Sequence, residues 1–102
     1  MAQKRVLFDK SEVVLLVPGK KKVANYNLTN STITRIQFDK CTERKFGFIP
    51  VQSEKITIIT PKAGVPIVYT KGENKVFFDE YKAELARYAK EYRVTFIDHT
   101  AE

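Results

Sequence analysis

Between residues 4 and 70 the chain runs in short apolar stretches broken by polar residues or by Gly and Pro, the pattern of β-strands joined by turns. Seven strands are predicted, at residues 5–8, 13–17, 21–28, 33–38, 45–49, 55–60 and 65–70. In the third, Ala24, Tyr26 and Leu28 alternate with Val23, Asn25 and Asn27; in the fourth, Ile36 and Phe38 alternate with Arg35 and Gln37. A period of two with one polar face predicts antiparallel sheet. Residues 13–17 are apolar on both faces, as expected of a strand covered on both sides or lying where sheets cross. Pro18-Gly19 and Ala63-Gly64 supply tight connections, so neighbouring strands should form hairpins and a meander. Near Asn74 the period lengthens. Phe78, Tyr81, Leu85, Tyr88 and Tyr92 then fall on one stripe of a helix predicted over about residues 75–92. Asn74 is a candidate cap, Asp79 and Glu80 suit its first half, and Lys90 and Arg93 its last turn. The bulky stripe should cover an open end of the sheet, and residues 94–97 form a short extended apolar tail.

Length and composition narrow the chemistry. At 102 residues, 43% hydrophobic and 29% charged, residues 1–102 make one domain able to fold alone. No stretch has signal-peptide or membrane-spanning character, so a cytoplasmic location is expected. One Cys excludes an internal disulfide, and one His leaves almost no nitrogen or sulfur ligands, so neither a metal nor a cofactor is expected. Cys41 stands alone as a reduced thiol. The carboxylates Asp39, Glu43, Glu54, Asp79 and Glu80 are dispersed among lysines, and His99 falls in a tail expected to lack the fixed geometry of a general base. The chain is therefore expected not to be an enzyme and to have no catalytic residues.

Charge adds a direction. Residues 1–50 hold 10 Lys or Arg against 4 Asp or Glu, whereas residues 51–102 hold 8 of each, so the whole net charge of +6 lies in the first half. A basic half suits a polyanionic or acidic partner, and it also serves solubility. The run PGKKK at residues 18–22 would hold Lys20, Lys21 and Lys22 close together on a turn. Near an anionic bilayer three such lysines are worth about 3 kcal/mol; the same lysines would equally protect a hairpin edge from pairing. A second group, Arg35, Lys40, Arg44 and Lys45, flanks Phe46 and Phe48 in RKFGF. Interleaved basic and aromatic residues can hold phosphates and stack bases. The favoured reading of Gly47 is a strand kink that turns both rings into the core.

Seven strands followed by one amphipathic helix, with the run YNLTNSTITRIQF early and NKVFFDEYKAELARYAKEYRVTFID late, resembles the pleckstrin-homology-like (PH-like) domains, especially small bacterial members. The resemblance is one of element order and hydrophobic pattern over most of the chain. It implies a mainly β fold: two nearly orthogonal antiparallel sheets in a sandwich or partly open barrel, with the C-terminal helix plugging one corner. The family's eukaryotic members usually carry a Trp in that helix, a volume that Phe78, Tyr81 or Tyr88 would fill here. Their phosphoinositide pattern places basic residues around the first hairpin; Lys20, Lys21 and Lys22 occupy a comparable place, with Ala24 where the last Arg would stand. The resemblance implies a non-catalytic binding or assembly module contacting a protein partner or its own copies. The alternative is a basic surface built from Lys20, Lys21, Lys22, Arg35 and Lys45 that binds anionic phospholipid headgroups or nucleic acid.

Overall fold

Two antiparallel hairpin systems and one helix build the molecule. The computed structural model describes residues 4–19 and 22–100. Its strands are β1 (Val6–Asp9), β2 (Glu12–Pro18), β3 (Val23–Thr29), β4 (Arg35–Lys45), β5 (Ile49–Ile59), β6 (Ile67–Thr70) and β7 (Phe96–Asp98), with helix α1 (Phe78–Tyr92) between β6 and β7. They form a three-stranded sheet, β1-β2-β3, and a four-stranded sheet, β6-β5-β4-β7, which do not close into a barrel. The fold is a mainly β sandwich of seven strands capped by one helix near the C-terminus, as the hydrophobic pattern predicts.

Alternation decides which residues meet between the sheets. Val6, Val13, Leu15 and Leu28 from the first sheet and Ile36, Phe38, Ile56, Ile58, Ile67 and Tyr69 from the second are buried, while Val23, Asn25 and Asn27 on the opposite face of β3 are exposed. The helix closes the open end with Phe78, Tyr81, Leu85 and Tyr88, all buried. Tyrosine hydroxyls fasten these layers. The Arg5 backbone N–H donates to Tyr81 Oη at 2.6 Å, Tyr88 Oη donates to the Ser11 carbonyl, and Tyr69 Oη on β6 donates to the Leu16 carbonyl on β2 at 3.0 Å. Each phenol thereby gives its own oxygen a backbone partner as its ring is buried.

Four local expectations are corrected. Residues 45–49 are not one strand: β4 and β5 are 11 residues each, paired from Arg35↔Ile59 to Lys45↔Ile49, and residues 46–48 are the reversal between them. Phe46 at φ 55° and Gly47 at φ 83° take successive left-handed conformations, which reverse the chain instead of extending it. The seventh strand comes after the helix. Residues 96–98 pair in parallel with β4, through Ile36↔Phe96 to Phe38↔Asp98, so the expected tail is a sheet strand and the element order has six strands before the helix. Asn74 does not cap the helix, whose N-cap is Phe77 without a side-chain bond. Instead Asn74 is buried in the preceding turn, where Nδ2 donates to the Thr70 carbonyl and the backbone carbonyl accepts from Phe77 N–H. Finally, His99 is held in place: its N–H donates to the Phe38 carbonyl at 2.8 Å, continuing the β4–β7 ladder.

Candidate functional site

The outer half of the β4–β5 hairpin extends past the strands that flank it. β7 reaches only Ile36–Phe38 and β6 only Lys55–Ile58, with one further bond from Lys71 N–H to the Glu54 carbonyl, so beyond these the two strands pair with each other alone. Every residue from Arg44 to Gln52 is exposed. At the tip Phe46 is 77% and Phe48 70% exposed, and Ile49 and Val51 behind them are 42% and 40% exposed. The expectation that Gly47 turns both rings into the core is therefore overturned. The left-handed turn carries the rings to the end of a two-stranded arm, out of reach of either sheet's inner face. Lys45 Nζ stands 5.6 Å from the Phe46 ring centroid, a cation–π contact that holds the ammonium beside the ring.

The arm's two faces differ. Alternation from the core residues Ile36 and Phe38 places Lys40, Thr42 and Arg44 on one face, across from Glu54, Gln52 and Pro50. Cys41, Glu43 and Lys45 share the other with Ser53, Val51 and Ile49. The acidic residues are engaged. Glu54 Oε1 is 2.7 Å from Lys82 Nζ, while Glu43 accepts from the Ser53 hydroxyl and, at 3.1 Å, from Gly72 N–H in the loop after β6. A Cβ on Gly72 would lie 2.5 Å from Glu43 Oε1, so a larger residue there would push the Glu43 carboxylate off the Gly72 N–H. Beside the arm's root an open groove of about 390 Å³ is lined by Lys40, Gln52, Ser53, Glu54 and Lys71.

Asp39, His99 and Gln37 form a polar cluster on the sheet edge at the foot of the arm. His99 Nδ1 is 2.6 Å from Asp39 Oδ1, and Gln37 Nε2 donates to both Asp39 oxygens at 3.2 and 3.0 Å. The His99 hydrogen bond, opposed by burial and helped by Gln37 and Lys55, holds the Asp39 carboxyl below its ordinary pKa. Burial pushes the Cys41 thiol above its ordinary value, an effect that Glu43 reinforces; its side-chain partner is Ser53. Such a thiol is less ionised, hence less nucleophilic, than a free one. Among the described residues no group of three His, Cys, Asp or Glu side chains could hold a metal ion, and no helix is long and apolar enough to cross a membrane.

The basic residues singled out in the sequence do not converge. Lys20 and Lys21 lie outside the described residues, and Lys22 is exposed just before β3. Gly19 N–H donates to the Lys22 carbonyl at 3.0 Å across that turn. Arg35 and Lys45 share a face of β4 but occupy its two ends, roughly 33 Å apart at the rise of a strand. Arg35 is half-buried, with Nε enclosed and without a partner among the described residues, whereas Lys45 sits at the exposed tip. The tip rings, the engaged acids and the groove at Lys40 are what sequence reasoning missed. The available signal was RKFGF itself, in which Gly between two aromatics serves a reversal as well as a kink. Comparison of the chain with family models, with curated proteins and with solved structures gives no match in any of the three.

Proposed function

We propose that the protein is a non-catalytic binding or assembly module and that its contact element is the β4–β5 arm. The observation that carries this reading is the exposure of Phe46 and Phe48 at the arm's tip. Two phenyl rings about three-quarters exposed present roughly 200–300 Å² of apolar surface, which reaches the lower end of the largest patch a typical monomer leaves open and is concentrated on one projection. Aromatic anchors of this kind dominate the energetics of interfaces. The polar cluster at the arm's foot offers little to catalysis: Asp39 is occupied by His99 and Gln37, and the Cys41 thiol is raised in pKa.

Photo-crosslinking in the cells that make the protein tests the location. A benzophenone side chain placed at Phe48 is expected to yield adducts well above those from the same group at Val65, which is equally exposed but lies in a loop away from the arm. Equal yields at the two positions would remove the arm as the contact element.

A further inference from the structure

We propose that the arm binds single-stranded nucleic acid, with the strand running along the cationic face of the hairpin and its bases stacking on Phe46 and Phe48. This inference rests on the arm being the contact element and names the chemistry of its partner.

Three observations lead to it. First, the arm's carboxylates and its tip cations are used differently. Glu54 is paired to Lys82 and Glu43 is held by Ser53 and the Gly72 N–H, so both carboxylates are turned to internal partners. Arg44 and Lys45, by contrast, belong to the fully exposed segment. Second, the cations are distributed in a line. Lys40 and Arg44 share a face about 13 Å apart at the strand rise, and Lys71, two residues beyond the buried Tyr69, lines the same groove as Lys40 and Gln52. From that groove to the tip the charged track is roughly 20 Å long. A bilayer meeting the tip end-on engages a headgroup layer only about 5–8 Å deep, which takes in Arg44 and Lys45 and leaves Lys40 and Lys71 behind. An extended polyanion lying along that face reaches Lys40, Arg44 and Lys71, with Lys45 at the tip on the opposite face. Third, the track ends in two exposed rings with an ammonium already seated beside one of them. Sequence-tolerant single-strand binding combines these same components, a cationic groove that follows the backbone and aromatic faces on which bases stack.

The test is fluorescence anisotropy with a labelled oligouridylate of about 12 nucleotides, a length within the range that small single-strand-binding domains occupy. Three to four phosphate contacts on a single strand predict a loss of roughly 20- to 50-fold in affinity between about 50 and 200 mM salt. The Phe46→Ala/Phe48→Ala variant should weaken binding by at least about fivefold per stacked ring, and Lys40→Gln/Arg44→Gln should flatten the salt dependence. Circular dichroism establishes that both variants stay folded. Because the chain has no Trp, Phe48→Trp supplies a single reporter whose emission the oligonucleotide should quench. Absence of binding at about 50 mM salt, or equal binding by the ring-less variant, overturns the proposal. So does a reporter that responds to phosphatidylserine-containing vesicles or to added wild-type protein but not to the oligonucleotide; in that case the arm remains the contact element with a different occupant. Failure of the crosslinking comparison together with a silent reporter would remove both readings.

Discussion

The hydroxyl of Tyr81 offers the sharpest test of how the helix is attached. Its ring is fully buried against Tyr69 and Phe77, with centroids 6.1 and 6.2 Å away, and its Oη accepts the Arg5 backbone N–H just before β1. Tyr81→Phe keeps the ring and removes the acceptor. The orphaned N–H is partly buried, so the cost belongs at the lower end of the range for an unsatisfied backbone donor, about 1–2 kcal/mol. For a domain of this length that corresponds to a fall of roughly 5–15 °C in Tm. Tyr81→Ala also removes the packing and leaves a cavity, which costs about 3–5 kcal/mol, a large share of the whole stability of a small domain. Tyr92→Phe is the matched control, since the half-buried Tyr92 hydroxyl makes no hydrogen bond among the described residues and its loss should stay within about 0.5 kcal/mol. Urea unfolding followed by far-UV circular dichroism orders the three. The reasoning is refuted if Tyr81→Phe matches Tyr92→Phe while Tyr81→Ala remains strongly destabilised, because the helix would then be held by packing alone.

Two further outcomes follow from the polar groups. Since the folded-state pKa of Asp39 is depressed below its ordinary 3.8, chiefly by the His99 hydrogen bond, its stabilising contribution is present above that value and disappears as pH falls through the lower folded value. Wild type should therefore lose more stability than Asp39→Asn between about pH 5 and pH 2, with the two urea midpoints converging in acid; parallel curves would contradict the His99–Asp39 contact. Cys41, whose thiol is raised by burial and by Glu43, should react with iodoacetamide near pH 8 several-fold more slowly in the folded protein than in the urea-unfolded chain. Equal rates would mean that the thiol is open to solvent.

The sandwich and its helical plug were legible because apolar periodicity and burial coincide there. Val13, Leu15, Leu28, Ile36 and Phe38 sit where the period of two puts them, and Phe78, Tyr81, Leu85 and Tyr88 where the helical stripe does. The arm was not legible, for a definite reason. Residues 39–45, DKCTERK, are polar on both faces and are held in β4 by the ladder to β5, so no alternation marks them as strand. The most apolar piece of that region, Phe46 to Ile49, has the composition of a strand whose rings turn inward, yet hydrophobicity here does not mean burial. Its backbone instead reverses at two successive positive φ angles. β7 escaped for a different cause. Three residues carry too little pattern to announce a strand, and their partner on β4 is about 60 residues away in sequence.

That distant pairing ties the exchange behaviour of two remote segments together. Ile36 N–H donates to the Thr95 carbonyl and His99 N–H to the Phe38 carbonyl, so one edge of β4 is shielded only while the segment after the helix is docked. The Phe96 ring, 4.9 Å from Phe38 and edge-on to it, makes that docking cooperative with the core. Deuterium uptake at Ile36 should then follow the opening of the segment around Phe96 rather than fraying of the β4–β5 hairpin in which Ile36 resides. The β7-paired end of β4 and its protruding ribbon, though one continuous strand, should then open as separate units of local unfolding.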